Sequence, residues 1–435
     1  FLAFGAGSVD SGPYAGSYTP FQNIPDPNCI ANKGILFPQA SGSRCGFFYG
    51  DRFNVVNDED HLKTYTSFQT ELSNGRTFKV DYLTSEIDVN DNFQSPSYPA
   101  LSLATPANII MPGQGGSPFS FPVMFLGRAL GSAFDSPAAP RYLEAQRLSL
   151  GLSGELNNGF DMDINYTYSA EDNKGYQPDT STSRFLNAIR GGSGAPGTWN
   201  LFDSTSNSQE LIDYIGTFQA TFVDVKLHVL DFVMTGMVND LEVATGFQWR
   251  KEHHDVARND DSIAGFDANG NLSEPADLIF LGGGIETTAS RAAYAVFAEA
   301  AKQASEKVEL RGAVRYESLE SDSTLNPKVS IRMQANDNLV LRGSVSTSFR
   351  EPSLSQLNQS SVGLQGIQDF DTSGNPVGQP SFIRIAQAYS TDLIPEESTN
   401  MNLGAIWTPN DQLSVKFDYW SIDYRDVITI ELSLI

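Results

Sequence analysis

The sequence predicts an all-β protein: a transmembrane antiparallel β-barrel, present as about 13 to 15 strands of a barrel of about 22. Two observations carry this expectation. The first is apolar/polar alternation with period two, sustained over lengths that soluble strands seldom reach. The second is an asymmetry of the connections, with tight turns on one side and mostly long irregular loops on the other, as in barrels with short periplasmic turns and long extracellular loops. Composition agrees. Charged residues are 18% of the chain, against about a quarter in ordinary soluble domains, and there are 37 Gly, 16 Tyr and 28 Phe.

In chain order, Ser73-Asn74-Gly75 is the first hairpin turn, and a long loop rich in Gly and Pro follows from about residue 90 to 142. Asn157-Asn158-Gly159 closes the next hairpin. Beyond it Phe160, Met162, Ile164, Tyr166 and Tyr168 form an apolar face, and Asp161, Asp163, Asn165 and Thr167 a wet one. A loop at about 172–224, the turn Val238-Asn239-Asp240 and a loop at about 253–288 come next. After the turn Ala304-Ser305-Glu306, Val308, Leu310, Val314 and Tyr316 alternate with Glu309, Arg311, Arg315 and Glu317. Asn336-Asp337-Asn338 leads to Leu339, Leu341, Val345 and Phe349 against Arg342, Ser344, Ser346 and Ser348. A loop at about 350–395 and the turn Pro409-Asn410-Asp411 precede Leu413, Val415, Phe417 and Tyr419, which alternate with Ser414, Lys416 and Asp418. A barrel puts Ile164, Val314, Leu341 and Phe417 against lipid and Asp163, Arg315, Arg342 and Lys416 in the lumen. Tyr82, Tyr166, Tyr168, Tyr316 and Tyr419 then suit an interfacial aromatic girdle, and each equally suits cross-strand packing. A soluble propeller or solenoid would show shorter strands and a fixed period.

Several classes are disfavoured. A net charge of −24 argues against a nucleic-acid partner. The longest uncharged stretch, Asn92 to Gly127, holds six prolines and four glycines, which do not propagate a transmembrane helix. The opening Phe1-Leu2-Ala3-Phe4 has neither a basic flank nor a cleavage site, so the chain reads as trimmed or as a fragment. Cys29 and Cys45 are close in sequence and far from any metal-type partner pair. That suits a disulfide in an oxidising compartment, the alternative being two buried thiols.

Catalytic constellations are sparse, and an enzyme is not expected. Gly192, Gly194 and Gly197 match G-x-G-x-x-G but lie in a loop with Pro196, without the strand and helix that give the motif its geometry. His253 and His254 point to opposite faces of a regular strand and do not chelate one metal. No cofactor or metal centre is expected, loop-bound calcium being the exception to weigh. Its candidate acids are Asp58, Glu59 and Asp60, then Asp88 and Asp91, then Asp260, Asp261 and Asp267 with Asn269 and Asn271. Around Asp267 a type I′ turn is the competing reading, because the bidentate glutamate of a calcium loop is missing.

Taken together, the segment from Tyr294 to Gln356 resembles the barrel of TonB-dependent outer-membrane receptors. The resemblance rests on Phe297 to Glu299 ("vFaE"), Arg315 to Glu317 ("RyE"), Asn326 to Ser330 ("NPKvs") and the run Phe349, Arg350, Glu351, Pro352, Ser353, Leu354 ("FRaPsl"). The stretch from Pro395 and the hairpin from Arg147 to Asp172 are similar to further family strands. Phe349, Arg350 and Pro352 are structural motif residues on this reading, and Glu351 departs from the small residue usual at its position. The resemblance implies residence in the cell outer membrane against its lipid, and a receptor importing a scarce large nutrient through the TonB-ExbB-ExbD complex. The coupling would run through a plug outside this chain. Residues 1–435 are then one barrel domain, a fragment without plug and C-terminal strands, which alone neither closes nor transports. Oligosaccharide, peptide, ferric siderophore and cobalamin are all open as ligands. Acidic loops repel an anionic chelate and tilt the expectation toward a neutral glycan or peptide. A passive porin or solute channel and a surface adhesin are the alternatives. Ligand contacts are expected from loop aromatics: Phe47, Phe48 and Tyr49; Phe119, Phe121 and Phe125; Trp199 and Phe202. Packing of loop against loop is the other use of each.

Overall fold

The computed structural model describes residues 1–46, 50, 54–90, 92–93, 109–125, 127, 129–130, 133–320 and 322–429. Twelve of its strands form one antiparallel sheet whose spatial order follows the chain order. They are β1 (Glu59–Glu71), β2 (Thr77–Val89), β3 (Arg141–Glu155), β4 (Asp161–Thr180), β5 (Gly216–Val238) and β6 (Leu241–Arg258). The series continues with β7 (Thr287–Ser305), β8 (Val308–Ser318), β9 (Ser323–Asn336), β10 (Leu339–Arg350), β11 (Glu396–Asn410) and β12 (Leu413–Arg425). Among the described residues the sheet holds twelve strands against the expected 13 to 15. Inside the stretch read from the sequence as a loop at about 350–395, Ser361–Phe370 and Pro376–Gln387 pair with each other in a separate two-stranded sheet. Among the described residues β1 and β12 are edges with a neighbour on one side only, so the sheet is open.

The tight turns close hairpins, and two show why Gly is required. In both 72–76 and 156–160 the first residue donates to the last carbonyl, at 2.7 Å. Gly75 (φ 76°) and Gly159 (φ 80°) adopt the left-handed conformation that ends such a turn in a one-residue bulge.

Residues paired across antiparallel strands share a face. Leu152, Ile164, Phe232, Phe247, Val296 and Tyr316 form one continuous row from β3 to β8. Following the register onward puts Ile164, Val314, Leu341 and Phe417 on that same face, and Asp163, Arg315, Arg342 and Lys416 on the other. The apolar face is uncovered: Val296 is 52% exposed, Val329 59% and Phe417 65%. An apolar surface of this extent marks a lipid contact rather than a water-facing wall.

A second row locates where lipid ends. Glu86, Glu144, Asp172, Asp224 and Asp255 are in register across β2 to β6 on the apolar face. Like charges opposite one another repel and are tolerated only in water. On β5 the lipid-facing run therefore lies between Lys226, which pairs with Asp224, and the turn at Val238. His228, Leu230, Phe232, Met234 and Gly236 span it, about the ten residues that a tilted membrane strand needs. Tyr168 packs on His228 at the upper end of this run, ring centroids 4.9 Å apart. No described helix is long and apolar enough to cross a membrane.

The buried core lies outside the sheet. Its largest cluster joins the N-terminal segment (Ala3, Tyr14, Ile24), residues of the loop after β2 (Ile110, Phe119, Phe121, Val123) and the loop after β4 (Phe185, Ile189, Trp199, Leu201, Leu211, Ile215). A lipid-facing barrel wall has water or lumen on its other side, so close packing occurs where loops fold on loops.

Candidate functional site

Two regions could meet a ligand: the loop cap and the inner wall beneath it. The loop after β4 carries α1 (Thr182–Ile189) and α2 (Gln209–Ile215). Ser181 caps α1 through its hydroxyl, which accepts from Arg184 N. Asp277, from the loop after β6, accepts from the Ser181 hydroxyl at 2.5 Å and from the backbone and hydroxyl of Ser183 at 2.7 Å each. Arg184 reaches Asp261 at 2.8 Å, and Thr217 donates to the same carboxylate. Asp179 accepts the N–H groups of Phe280 (3.2 Å) and Leu281 (2.6 Å), while Arg384 of the outer hairpin donates to the carbonyls of Leu278 (2.7 Å) and Phe280 (3.2 Å). Three carboxylates join the loops after β4 and β6, and the Arg384 guanidinium ties the outer hairpin to them, so three loops form one cap. Asp277→Ala removes an N-terminal anchor of α1 and takes the acceptor away from the Ser181 hydroxyl and from the N–H and hydroxyl of Ser183. A loss of about 1–2 kcal/mol of local stability is expected, read as faster hydrogen exchange in 182–189 with unchanged exchange in β4.

The cap takes up most of the aromatic candidates. Phe119 (2% exposed), Phe121 (5%) and Trp199 (0%) are buried in its core, with Phe119 edge-on to Tyr18 at 5.2 Å. Phe202 stacks on Phe1 at 4.3 Å and Phe125 lies 5.6 Å from Phe1, both partly buried. The faces of Phe119, Phe121 and Trp199 are thus spent on packing, and Phe125 and Phe202 keep some accessible surface. Phe47, Phe48 and Tyr49 lie outside the described residues.

Cys29 and Cys45 are joined by a disulfide with Cα atoms 5.7 Å apart, which ties Cys29 to the second strand of the small hairpin Ile35–Pro38/Ser43–Gly46. In the chain-entropy model, a loop of about 15 residues is worth roughly 3 kcal/mol. Cys29→Ser is expected to make this segment protease-sensitive while leaving β1 to β12 intact, measured by limited proteolysis of the folded protein; two alkylatable thiols in the unreduced wild type would refute the bridge.

The acids weighed for calcium are used differently. The Asp267 carboxylate accepts from Asn269 N (2.8 Å) and Asn271 N (2.9 Å), and these bonds hold its carboxyl below the usual range. Gly270 alone in this turn has positive φ (81°), so the expected type I′ turn, which needs two such residues, is instead a turn ending in a left-handed glycine. Asp371 and Gly374 (φ 82°) repeat the arrangement. Among the described residues no group of three or more His, Cys, Asp or Glu is placed to hold a metal ion. His253 and His254 sit on opposite faces of β6, and the buried Nε2 of His254 has no hydrogen-bond partner among the described residues.

The inner wall carries an ion-pair network. Arg250 pairs with Glu317, with Glu351 at 3.0 Å and with Glu252 at 3.5 Å. Arg291 pairs with Glu252 at 2.7 Å and Glu351 at 3.4 Å, and donates to the carbonyl of Pro352 at 2.5 Å. Arg315 completes it, on Glu317 at 2.9 Å and Gln248 at 2.8 Å. Burial pushes the Glu351 carboxyl up, against the pull of Arg291 and Arg250. Glu351 begins a segment that leaves β10, turns through α3 (Leu354–Asn358) and touches β7 and β6. Ser353 and Gln356 cap α3 reciprocally. The run Phe349 to Leu354 is therefore the entry to an inward strap. Arg350 anchors its start to Glu396 at 2.6 and 2.8 Å, and Pro352 is the residue Arg291 holds. Elsewhere on the wall Arg342 binds Asp418 at 2.6 Å and Arg311 binds Glu299 at 3.1 Å, whereas Asp161 and Asp163 form no ion pair among the described residues. Sequence reasoning placed Arg315 and Glu317 on this wall but missed Arg250, Arg291 and Glu252, whose only signal is their even spacing with Gln248 on β6 and their register with β7.

A lipid-banded antiparallel wall with an ionic inner face and a folded loop cap defines an outer-membrane β-barrel protein. The family described as "TonB dependent receptor-like, beta-barrel" matches residues 67–433, and the chain belongs to it. It is thereby a protein of the Gram-negative outer membrane. Similar solved structures include the ferric-catecholate import receptor Fiu from E. coli K12 (11% identity, TM-score 0.47, 84% of this chain and 51% of that one). Others are the siderophore receptor PirA from Acinetobacter baumannii (14%, 0.44, 89% and 55%) and the FrpB iron transporter from Neisseria meningitidis (12%, 0.44, 85% and 46%). The chain thus spans about half the length of these structures. No curated protein matches the sequence.

Proposed function

We propose that the protein is the barrel part of a receptor that binds a large scarce nutrient under its loop cap. The whole receptor imports that nutrient with energy delivered by the TonB-ExbB-ExbD complex through a plug outside residues 1–435. One observation carries this over a passive porin: on β6 to β8 the inner wall bears an ion-pair network, with the Glu351–Asn358 strap folded onto it. A diffusion channel needs an open aqueous bore, whereas charges paired across a wall suit a filled lumen. The ligand class is an oligosaccharide, a peptide or a ferric siderophore. The net charge of −24 favours a neutral glycan or a peptide over an anionic chelate. The test is uptake of labelled candidates by cells carrying the complete receptor. Uptake abolished by collapsing the proton-motive force is expected; energy-independent entry of small sugars at porin rates would overturn the reading.

A further inference from the structure

The strap is held by a charge balance that the wall leaves incomplete. On β6, β7 and β8 the network contains Arg250, Arg291 and Arg315 but, as direct partners, only Glu252 and Glu317. Asp231 touches it only through Gln248. The wall alone thus carries one unmatched positive charge, and the carboxylate that matches it is Glu351, which comes from the strap. Its two oxygens are divided between two guanidinium groups, Oε2 on Arg250 at 3.0 Å and Oε1 on Arg291 at 3.4 Å. Its side chain is 9% exposed and that of Arg291 8%, so this is a sheltered site rather than a surface pair.

We propose that Arg250 and Arg291 form a carboxylate-binding site on the inner wall, that Glu351 fills it from within the chain, and that a ligand carboxylate displaces Glu351 and frees the strap. Arginine forks recognise carboxylates by geometry as well as charge. Losing Glu351 without replacement strands a buried positive charge, which keeps the strap seated until another carboxylate arrives. Because Glu351 is tethered, its effective concentration is high, and a single acetate competes poorly where a polycarboxylate competes well. A peptide C-terminus, which the net charge does not disfavour, suits this site; a neutral glycan does not. The inference rests on the wall geometry and stands whether or not transport is TonB-driven.

The test uses the protein in detergent micelles with citrate and acetate as probes, sodium chloride at matched ionic strength as control, and two readouts: hydrogen exchange of amides 353–358 and citrate affinity by calorimetry. Millimolar citrate is expected to speed exchange in the wild type at least tenfold, with acetate and chloride well behind. Glu351→Ala is expected to exchange fast without citrate and to bind citrate at least tenfold tighter, a gain that a second change, Arg291→Ala, abolishes. Glu351→Gln preserves size, and if Glu351→Ala does not fold it decides by the same readouts. Wild-type exchange and affinity in a folded Glu351 variant would overturn the proposal. So would an equal response to chloride, or tight citrate binding that survives loss of Arg291.

Discussion

Glu317→Ala is expected to be among the most damaging single changes in the wall. The Glu317 side chain is 2% exposed and bridges Arg250 and Arg315. Removing it leaves two guanidinium groups facing each other across β6 and β8 with only Glu252, Glu351 and Gln248 to share. Breaking a buried pair by deleting one partner costs about 3–5 kcal/mol. The measurement is the urea midpoint for unfolding from micelles or vesicles. Replacement of the whole set by apolar residues of similar volume is expected to recover much of the loss, because the cost lies in the stranded charges. A midpoint within experimental error of wild type for Glu317→Ala would show that water enters the wall freely and that the network has no structural weight.

Val314→Arg is expected to fail by a different route. Val314 lies on the lipid face of β8 between Gly312 and Tyr316 and is 41% exposed. A charge on the lipid face costs about 2–4 kcal/mol near the bilayer midplane, falling to about 0–1 near the interfaces. Folding into vesicles should therefore be impaired, and thinner bilayers should relieve the defect. Arg311→Ala on the opposite face of the same strand exchanges two exposed ion pairs for water and should change the midpoint by less than about 1 kcal/mol. Arg315→Ala is a less neutral control than its lumen position suggests, because Arg315 is one of two cations on Glu317. Equal effects of Val314→Arg and Arg311→Ala would refute the assignment of faces.

The wall was legible because a strand's side chains alternate strictly and a membrane imposes opposite chemistry on the two faces. Ile164, Val314, Leu341 and Phe417 fall on one face of the finished sheet because period two is local and survives any register that keeps parity. Ser73-Asn74-Gly75 and Asn157-Asn158-Gly159 were equally readable, since a left-handed position near a hairpin calls for glycine whatever surrounds it.

The loops were not readable in this way. Phe119 and Trp199 are 80 residues apart and share a core, and Phe202 stacks on Phe1, because an antiparallel sheet in chain order brings alternate connections to the same end. Nothing in the composition of a loop says whether its aromatics face a ligand or one another. The ion-pair network shows the same division. Alternation assigned Arg315 and Glu317 to the lumen, but that Glu317 meets Arg250, and that Glu351 crosses inward to Arg250 and Arg291, depends on register across β6 to β8 and on the turn after β10. Sequence alone determined the class of wall and its two faces, since these follow from short-range geometry and the contrast between lipid and water. Tertiary structure alone decided which charges pair and which aromatics are buried, since those contacts join residues that only the register of neighbouring strands and the packing of loop on loop bring together.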